Sequence, residues 1–214
     1  MSSFPQHLVD GYRTFATQRL PTEQSRYRDL SERGQSPEIM VIGCCDSRVS
    51  PEVIFDAGPG ELFVARNVAN LVPPYQPDDA AHGVSAALEF AVQVLRVRHI
   101  VVLGHAQCGG IKALAQDSEP LSPGDFIGKW MALLQPTLDE TPRISGEQMA
   151  DFITRLEKRA ISTSLANLMT FPCIRILVER GKLQLHGAYF GVAHGSLAVL
   201  DPASGEFSNV ASAA

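Results

Sequence analysis

The chain has 214 residues, a length that fits one domain of the larger sort better than a two-lobed protein. Hydrophobic residues make up 45% and charged residues 19%, with no apolar run near the roughly 20 residues that span a bilayer, which points away from disordered and membrane-spanning classes. Eighteen Lys plus Arg against 23 Asp plus Glu give a net charge of −5, and no basic cluster offers itself to a phosphate backbone, so nucleic acid is not an expected partner.

In chain order, the first signal is Leu8, Tyr12 and Phe15, which recur at helical spacing on an otherwise polar segment. The amphipathic helix so predicted must lie on something, and either its own sheet or a second copy of the chain would serve. The same segment has no basic stretch followed by an apolar one, so a cytoplasmic location is the default expectation. Residues 39–42, 62–65 and 100–103 are short unbroken apolar runs, as expected of parallel strands covered on both faces. Between the second and third, Val84, Leu88, Ala91, Val92 and Leu95 mark one face of a helix, which makes a β-α-β crossover.

Further on, Ser145 and Gln148 have the spacing of a capping box and predict the start of a long helix carrying Met149, Phe152, Ile153, Leu156 and Ala160. Pro172 predicts the first position of another helix, running to about Gly181 as its C-cap. Two strands, 185–192 and 197–200, are expected to finish the chain, the second closed by an Asp201-Pro202-Ala203-Ser204-Gly205 turn. The expected fold class is α/β: a central, mostly parallel β-sheet flanked by helices. A helical arm over residues 1–35 precedes it, helical additions lie toward the C-terminus, and residues 1–214 form a single domain.

Two segments carry chemistry, and each directly follows a predicted buried strand, where open α/β sheets keep their sites. They are Gly43-Cys44-Cys45-Asp46-Ser47-Arg48 and Gly104-His105-Ala106-Gln107-Cys108-Gly109-Gly110. Cys44, His105 and Cys108 supply three ligands of the type tetrahedral zinc takes, leaving a fourth position open as in catalytic sites. Gly109 and Gly110 are expected to let the backbone turn tightly beside the metal. Cys44 and Cys45 should face opposite ways, so only one meets the metal. Cys45 and Cys173 read as inert small hydrophobes, with a vicinal disulfide or thiol nucleophile as the rival reading. His7, His82, His99, His186 and His194 have no ligand partner at short spacing and read as ordinary histidines. Beside these ligands, Asp46 is placed to accept a hydrogen bond and Arg48 to hold that carboxylate ionised through a bidentate fork.

The pairing of Cys44-x-Asp46-Ser47-Arg48 with His105-x-x-Cys108-Gly109 is similar to the β-class carbonic anhydrases, zinc enzymes that interconvert CO₂ and bicarbonate. The resemblance extends through Gly34-Gln35-Ser36-Pro37, Pro59-Gly60-Glu61, the run from Arg66 to Tyr75, Leu88-Glu89-Phe90, His186-Gly187 and Leu200-Asp201-Pro202. It implies one Zn²⁺ per chain and reversible hydration of carbon dioxide to bicarbonate and a proton, by attack of zinc-bound hydroxide oriented by the Asp46–Arg48 dyad. It also implies that Asp46 can become a fourth ligand in a closed state. Within the family the wording is nearest the plant-type branch, which implies a substrate pocket of Gln35, Phe63, Val68, Phe90 and Gly109. Phe90 departs from the branch by keeping the ring of a Tyr and losing its hydroxyl. Val41 stands where the bicarbonate-inhibited branch has Trp, so that form of control is not expected. A homodimer or higher homo-oligomer is implied, with N-terminal helices embracing the partner and the pocket lined from both chains. The same fold serves hydrolysis of CS₂ or COS, which the sequence does not separate from CO₂. A binding protein with structural zinc would need a permanent fourth ligand, and a thiol redox enzyme would not need the metal at all.

Overall fold

The structure is a computed structural model and describes residues 4–210. The chain divides into two compact units with the boundary between Ser36 and Pro37. In the first, α1 (Gln6–Thr14) runs through a wider π turn at Phe15–Arg19 into α2 (Leu20–Arg33). Pro21 fits the first turn of α2, where its missing amide is no loss, and Gly34 ends the helix at φ 80°. Within this unit Phe15 stacks on Tyr12 and on Tyr27, while Tyr12 keeps 66% of its surface exposed.

The second unit is built on a six-stranded sheet: β1 (Ile39–Cys44), β2 (Leu62–Asn67), β3 (His99–His105), β4 (Gln184–Gly191), β5 (Ser196–Leu200) and β6 (Phe207–Asn209). Their order is β2-β1-β3-β4-β5-β6. The first four are parallel and the last two antiparallel. β1 and β3 lie inside the sheet and are almost wholly buried, which is why they read as unbroken apolar runs. The predicted crossover is α4 (Gly83–Glu89), extended by a π turn at Phe90–Leu95. Its Leu88, Ala91 and Val92 pack on Met40, Ile42, Ile100 and Val102.

Helix α8 (Met149–Leu168) crosses the same face. Ile161, fully buried, sits where β3 and β4 each lack a side chain: a Cβ on Gly104 would lie 2.7 Å from its Cδ1, and one on Gly187 2.9 Å from its Cγ2. Only glycine permits this approach, so the two strands fix how closely the helix lies. The helix begins later than its capping box predicts. Ser145 makes no cap; Gly146 turns at φ 81°, Glu147 accepts from the Ile144 amide, and an extended Gln148 starts the helix. Helix α9 (Pro172–Glu179) opens on its proline as expected, with Arg180 as C-cap and Gly181 next at φ 65°. The remaining helices are short: α3 (Pro51–Ile54), α5 (Gly109–Ala115), α6 (Phe126–Met131) and α7 (Gln135–Asp139). β6 lies beyond the predicted turn and was not expected from the sequence.

Candidate metal centre

In the order β2-β1-β3, β1 connects outward to β2 while β3 connects onward to β4. Their carboxyl ends therefore face a crevice, the point at which open parallel sheets place ligands. Cys44 is the last residue of β1 and His105 the last of β3; Cys108 precedes α5 as its N-cap residue. One ligand atom from each, all buried, lie within 4.8 Å of one another.

The chemistry of this donor set fits a zinc ion. His105 is 1% exposed, its Nδ1 lies 2.9 Å from the Ala106 carbonyl, and its buried Nε2 makes no hydrogen bond. Nδ1 must then donate, which leaves the Nε2 lone pair free, and a nitrogen buried without a partner costs about 1–3 kcal/mol. A hydrogen bond from the Cys108 thiol holds Cys44 well below the ordinary thiol value against the effect of burial; the same bond, with burial, pushes Cys108 up. Burial works against a charged His105, but the nearby Cys44 thiolate and the Ala106 carbonyl outweigh it and raise its pKa. Two sulfurs and one imidazole are a set that zinc binds with one position to spare. As expected, Cys45 is not among these ligand atoms; it is exposed and not a packed small hydrophobe. Cys173 is half-buried among apolar neighbours.

Asp46 and Arg48 form the predicted fork. Arg48 donates from Nε to Asp46 Oδ1 at 2.9 Å and from Nη2 to Oδ2 at 2.7 Å, and its amide donates to Oδ1 at 2.9 Å. The guanidinium, with the Arg48 amide, holds the Asp46 carboxyl well below the usual carboxylate range. Arg48 also donates to the Gln107 carbonyl, joining the two ligand loops. The tight turn between His105 and Cys108 is made by Gln107 at φ 59°, and neither Gly109 nor Gly110 has positive φ. A Cβ on Gly109 would meet nothing within 4 Å; one on Gly110 would lie 2.8 Å from Val68 Cγ1, so the close approach belongs to Gly110.

A third loop closes the centre. Ala69 and Asn70 both adopt positive φ, at 63° and 48°, a strain of roughly 1–2 kcal/mol each for non-glycine residues. The loop is held by the Asn67 amide, which bonds both polar groups of the Leu71 backbone, and by Trp130, whose Nε1 donates to the Val68 carbonyl. Ser164 on α8 adds a bond to the Asn70 carbonyl and one from the Val72 amide. So fixed, the Ala69 amide donates to Cys44 Sγ at 3.3 Å. Arg66 donates to the Cys44 and Asp46 carbonyls at 2.8 and 2.7 Å. Val68 belongs to this loop and stands beside the cluster.

Two of the other expected pocket residues, Phe63 and Phe90, lie away from the cluster. Phe63 and Phe90 pack together with ring centroids 5.8 Å apart, and Phe90 is 43% exposed. Phe63 pairs with Met40, four positions before the Cys44–Asn67 pair, or roughly 13 Å along the strands at 3.3 Å per residue. Gln35 is an exposed residue of the first unit.

Sequence reasoning passed over Glu157 and Tyr189. Glu157, 3% exposed on α8, accepts from the Cys108 amide through Oε1 at 2.8 Å and from the Tyr189 hydroxyl through Oε2 at 2.7 Å. Burial pushes its carboxyl up from the ordinary value. The available signal was its place on the apolar stripe of the helix, between Leu156 and Ala160.

A family model described as carbonic anhydrase matches residues 39–197. Beta carbonic anhydrase 3 of Arabidopsis thaliana is 35% identical over 195 residues, covering 89% of this chain and 74% of its own. The structure of the β-carbonic anhydrase CcaA superposes with a TM-score of 0.89 at 32% identity, over 96% of this chain and 98% of that one. One of two tetrameric β-carbonic anhydrases from Sordaria macrospora gives a TM-score of 0.79 at 27% identity, over 96% and 98%.

Proposed function

Since the chain belongs to the carbonic anhydrase family, in its β class, we propose that it interconverts carbon dioxide and bicarbonate, with Cys44, His105 and Cys108 holding one zinc ion. The observation that carries this reading is the buried convergence of two thiols with an imidazole nitrogen that has no other partner. When bound there, zinc supplies the Lewis acidity that makes water a nucleophile near neutral pH.

The chain's own residues supply the rest. Asp46 accepts a hydrogen bond from the reacting water and so fixes where its lone pair points. The carboxylate can do this because Arg48 takes three of its roughly four acceptor positions, two on Oδ1 and one on Oδ2, which leaves Oδ2 one to offer. Arg48 keeps Asp46 ionised and engages both its oxygens, and no Asp46 oxygen is among the three mutually close donor atoms, which supports the hydrogen-bonding role over that of a fourth ligand. Val68 and the half-buried wall around it keep the substrate side apolar, as a small neutral molecule requires.

The separation of Phe63 and Phe90 from the cluster supports a pocket completed by a second copy of the chain, whose Phe pair would face this Val68. A homo-oligomer is therefore part of the reading, and the tetrameric Sordaria relative is consistent with it. The exposed stripe of α1 supports an arm that lies on a partner.

Stopped-flow CO₂ hydration, with bound zinc quantified on the same sample, tests the assignment. About one zinc per chain is expected. Asp46→Asn should retain zinc and lose roughly 10²–10⁴ in rate, the usual worth of a positioned acid–base group. Cys45→Ala should stay near wild type. A zinc-loaded wild type no faster than buffer would overturn the function.

A further inference from the structure

Glu157 stands at a position where an apolar side chain would be the inexpensive choice. It shares its face of α8 with Ile153, Leu156, Ala160, Ile161 and Ser164, all but walled off from water. A buried carboxyl is costly unless its oxygens are satisfied, and replacing such a group by a well-packed apolar one is often neutral or stabilising. What distinguishes Glu157 is what its two oxygens hold: the main chain of a candidate metal ligand on one side, and a tyrosine of the sheet on the other.

We propose that Glu157 is a positioning residue for the metal centre, which sets the Cys108 thiol in place through its hydrogen bond to the Cys108 amide. The inference rests on the reading of Cys44, His105 and Cys108 as a metal centre.

The geometry gives the reason such a brace is needed. Cys108 has extended backbone angles, φ −66° and ψ 120°, and directly follows Gln107 at φ 59°. An L-residue held in the left-handed region tends to relax, and relaxation there would rotate the Cys108 peptide and swing its Cβ away from Cys44. The Arg48 bond holds the Gln107 carbonyl and the Glu157 bond holds the Cys108 amide, so the one peptide that joins the strained residue to Cys108 is pinned at both its polar groups. Glu157 itself is fixed. Its second oxygen is taken by Tyr189 on β4, and its helix is seated on β3 and β4 by Ile161 against Gly104 and Gly187. Seven residues along α8, Ser164 holds the loop whose Ala69 amide reaches Cys44. One helix face thus braces the loops around two of the three ligands.

The test uses the full chain and Co²⁺ as a spectroscopic probe of the thiolates. Affinity is read by competition with a chelator of known strength, and ligation by the sulfur-to-cobalt charge-transfer absorption. Wild type should show the thiolate band. Glu157→Leu should bind Co²⁺ about 10–100-fold more weakly, the range typical of partners that orient metal ligands, with an altered band. Glu157→Gln, which keeps an oxygen for the Cys108 amide, should recover most of the affinity, and Tyr189→Phe should fall between. Wild-type affinity and spectrum in Glu157→Leu would overturn the proposal, even with lowered stability of the metal-free protein. If Glu157→Leu does not fold, Tyr189→Phe decides, and unchanged affinity there overturns it too. A wild type with no thiolate band would instead remove the metal-centre reading beneath it.

Discussion

Strand β3 carries a histidine at each end, and the two ends have different fates. His105, at the carboxyl end, has one nitrogen tied to its neighbour's carbonyl and the other left free among thiols. His99, at the amino end, has its Nδ1 3.1 Å from Nε2 of His186 on the neighbouring strand, and the two imidazoles satisfy each other. The surroundings make the difference. At the amino end the incoming chain closes over the strands: the Arg98 and His99 amides both donate to the Glu38 carbonyl, and the Gln184 amide donates to that of Arg98. At the carboxyl end the chain leaves β1 and β3 in different directions, and a crevice opens between them. A histidine on a strand becomes a candidate ligand through the loops that converge on it.

The sharpest way to break this contrast is to remove one imidazole at a time. His105→Ala, or Cys108→Ala beside it, should lose stable zinc altogether, a larger effect than the roughly 10–100-fold typical of residues that merely orient ligands. His99→Ala should keep zinc at the wild-type level after dialysis, measured by atomic emission. Equal loss from His99 would erase the distinction between the ends.

Next to the carboxyl end of β3 lies the seat of α8. Ile161→Ala removes the side chain that fills the space over Gly104 and Gly187, and should destabilise the protein by about 2–5 kcal/mol in urea unfolding. A cost near zero would mean that the sheet does not depend on that seat.

The smallest expected effect is a pH dependence confined to the amino end. Burial, and then the neighbouring His99, lower the His186 pKa, so the folded protein binds its proton less readily than the unfolded chain does. The stability linked to His186 is complete above the unfolded value of about 6.5 and is lost as pH falls below it toward the folded one. His186→Gln should therefore flatten the thermal midpoint between pH 7 and 5. An unchanged slope would show that His186 does not titrate as described.

How far the sequence reveals this molecule follows from what its signals measure. Unbroken apolar runs report burial on both faces, so β1 and β3 are legible and so is the β-α-β crossover. β6, three residues with two exposed, carries no such pattern. Ser145 and Gln148 have the spacing of a cap, but Gly146 between them turns the chain before the helix can start. The three ligands are legible because loops after adjacent parallel strands must meet. The left-handed turn at Gln107 is not, since nothing in a glutamine announces positive φ and the glycines beside it draw the eye. The Phe63–Phe90 pair is placed by register, which a list of residues does not contain. Glu157 was readable only as an acid on an apolar stripe, and its purpose depends on a backbone amide that sequence does not show.

The claim on which all of this depends is that Cys44, His105 and Cys108 hold zinc with one coordination position left over. X-ray absorption at the zinc edge on the full chain tests it most directly. Two sulfurs at about 2.3 Å with two lighter nitrogen or oxygen neighbours at about 2.0–2.2 Å are expected. A zinc surrounded by three or four sulfurs, or by none, would contradict the account.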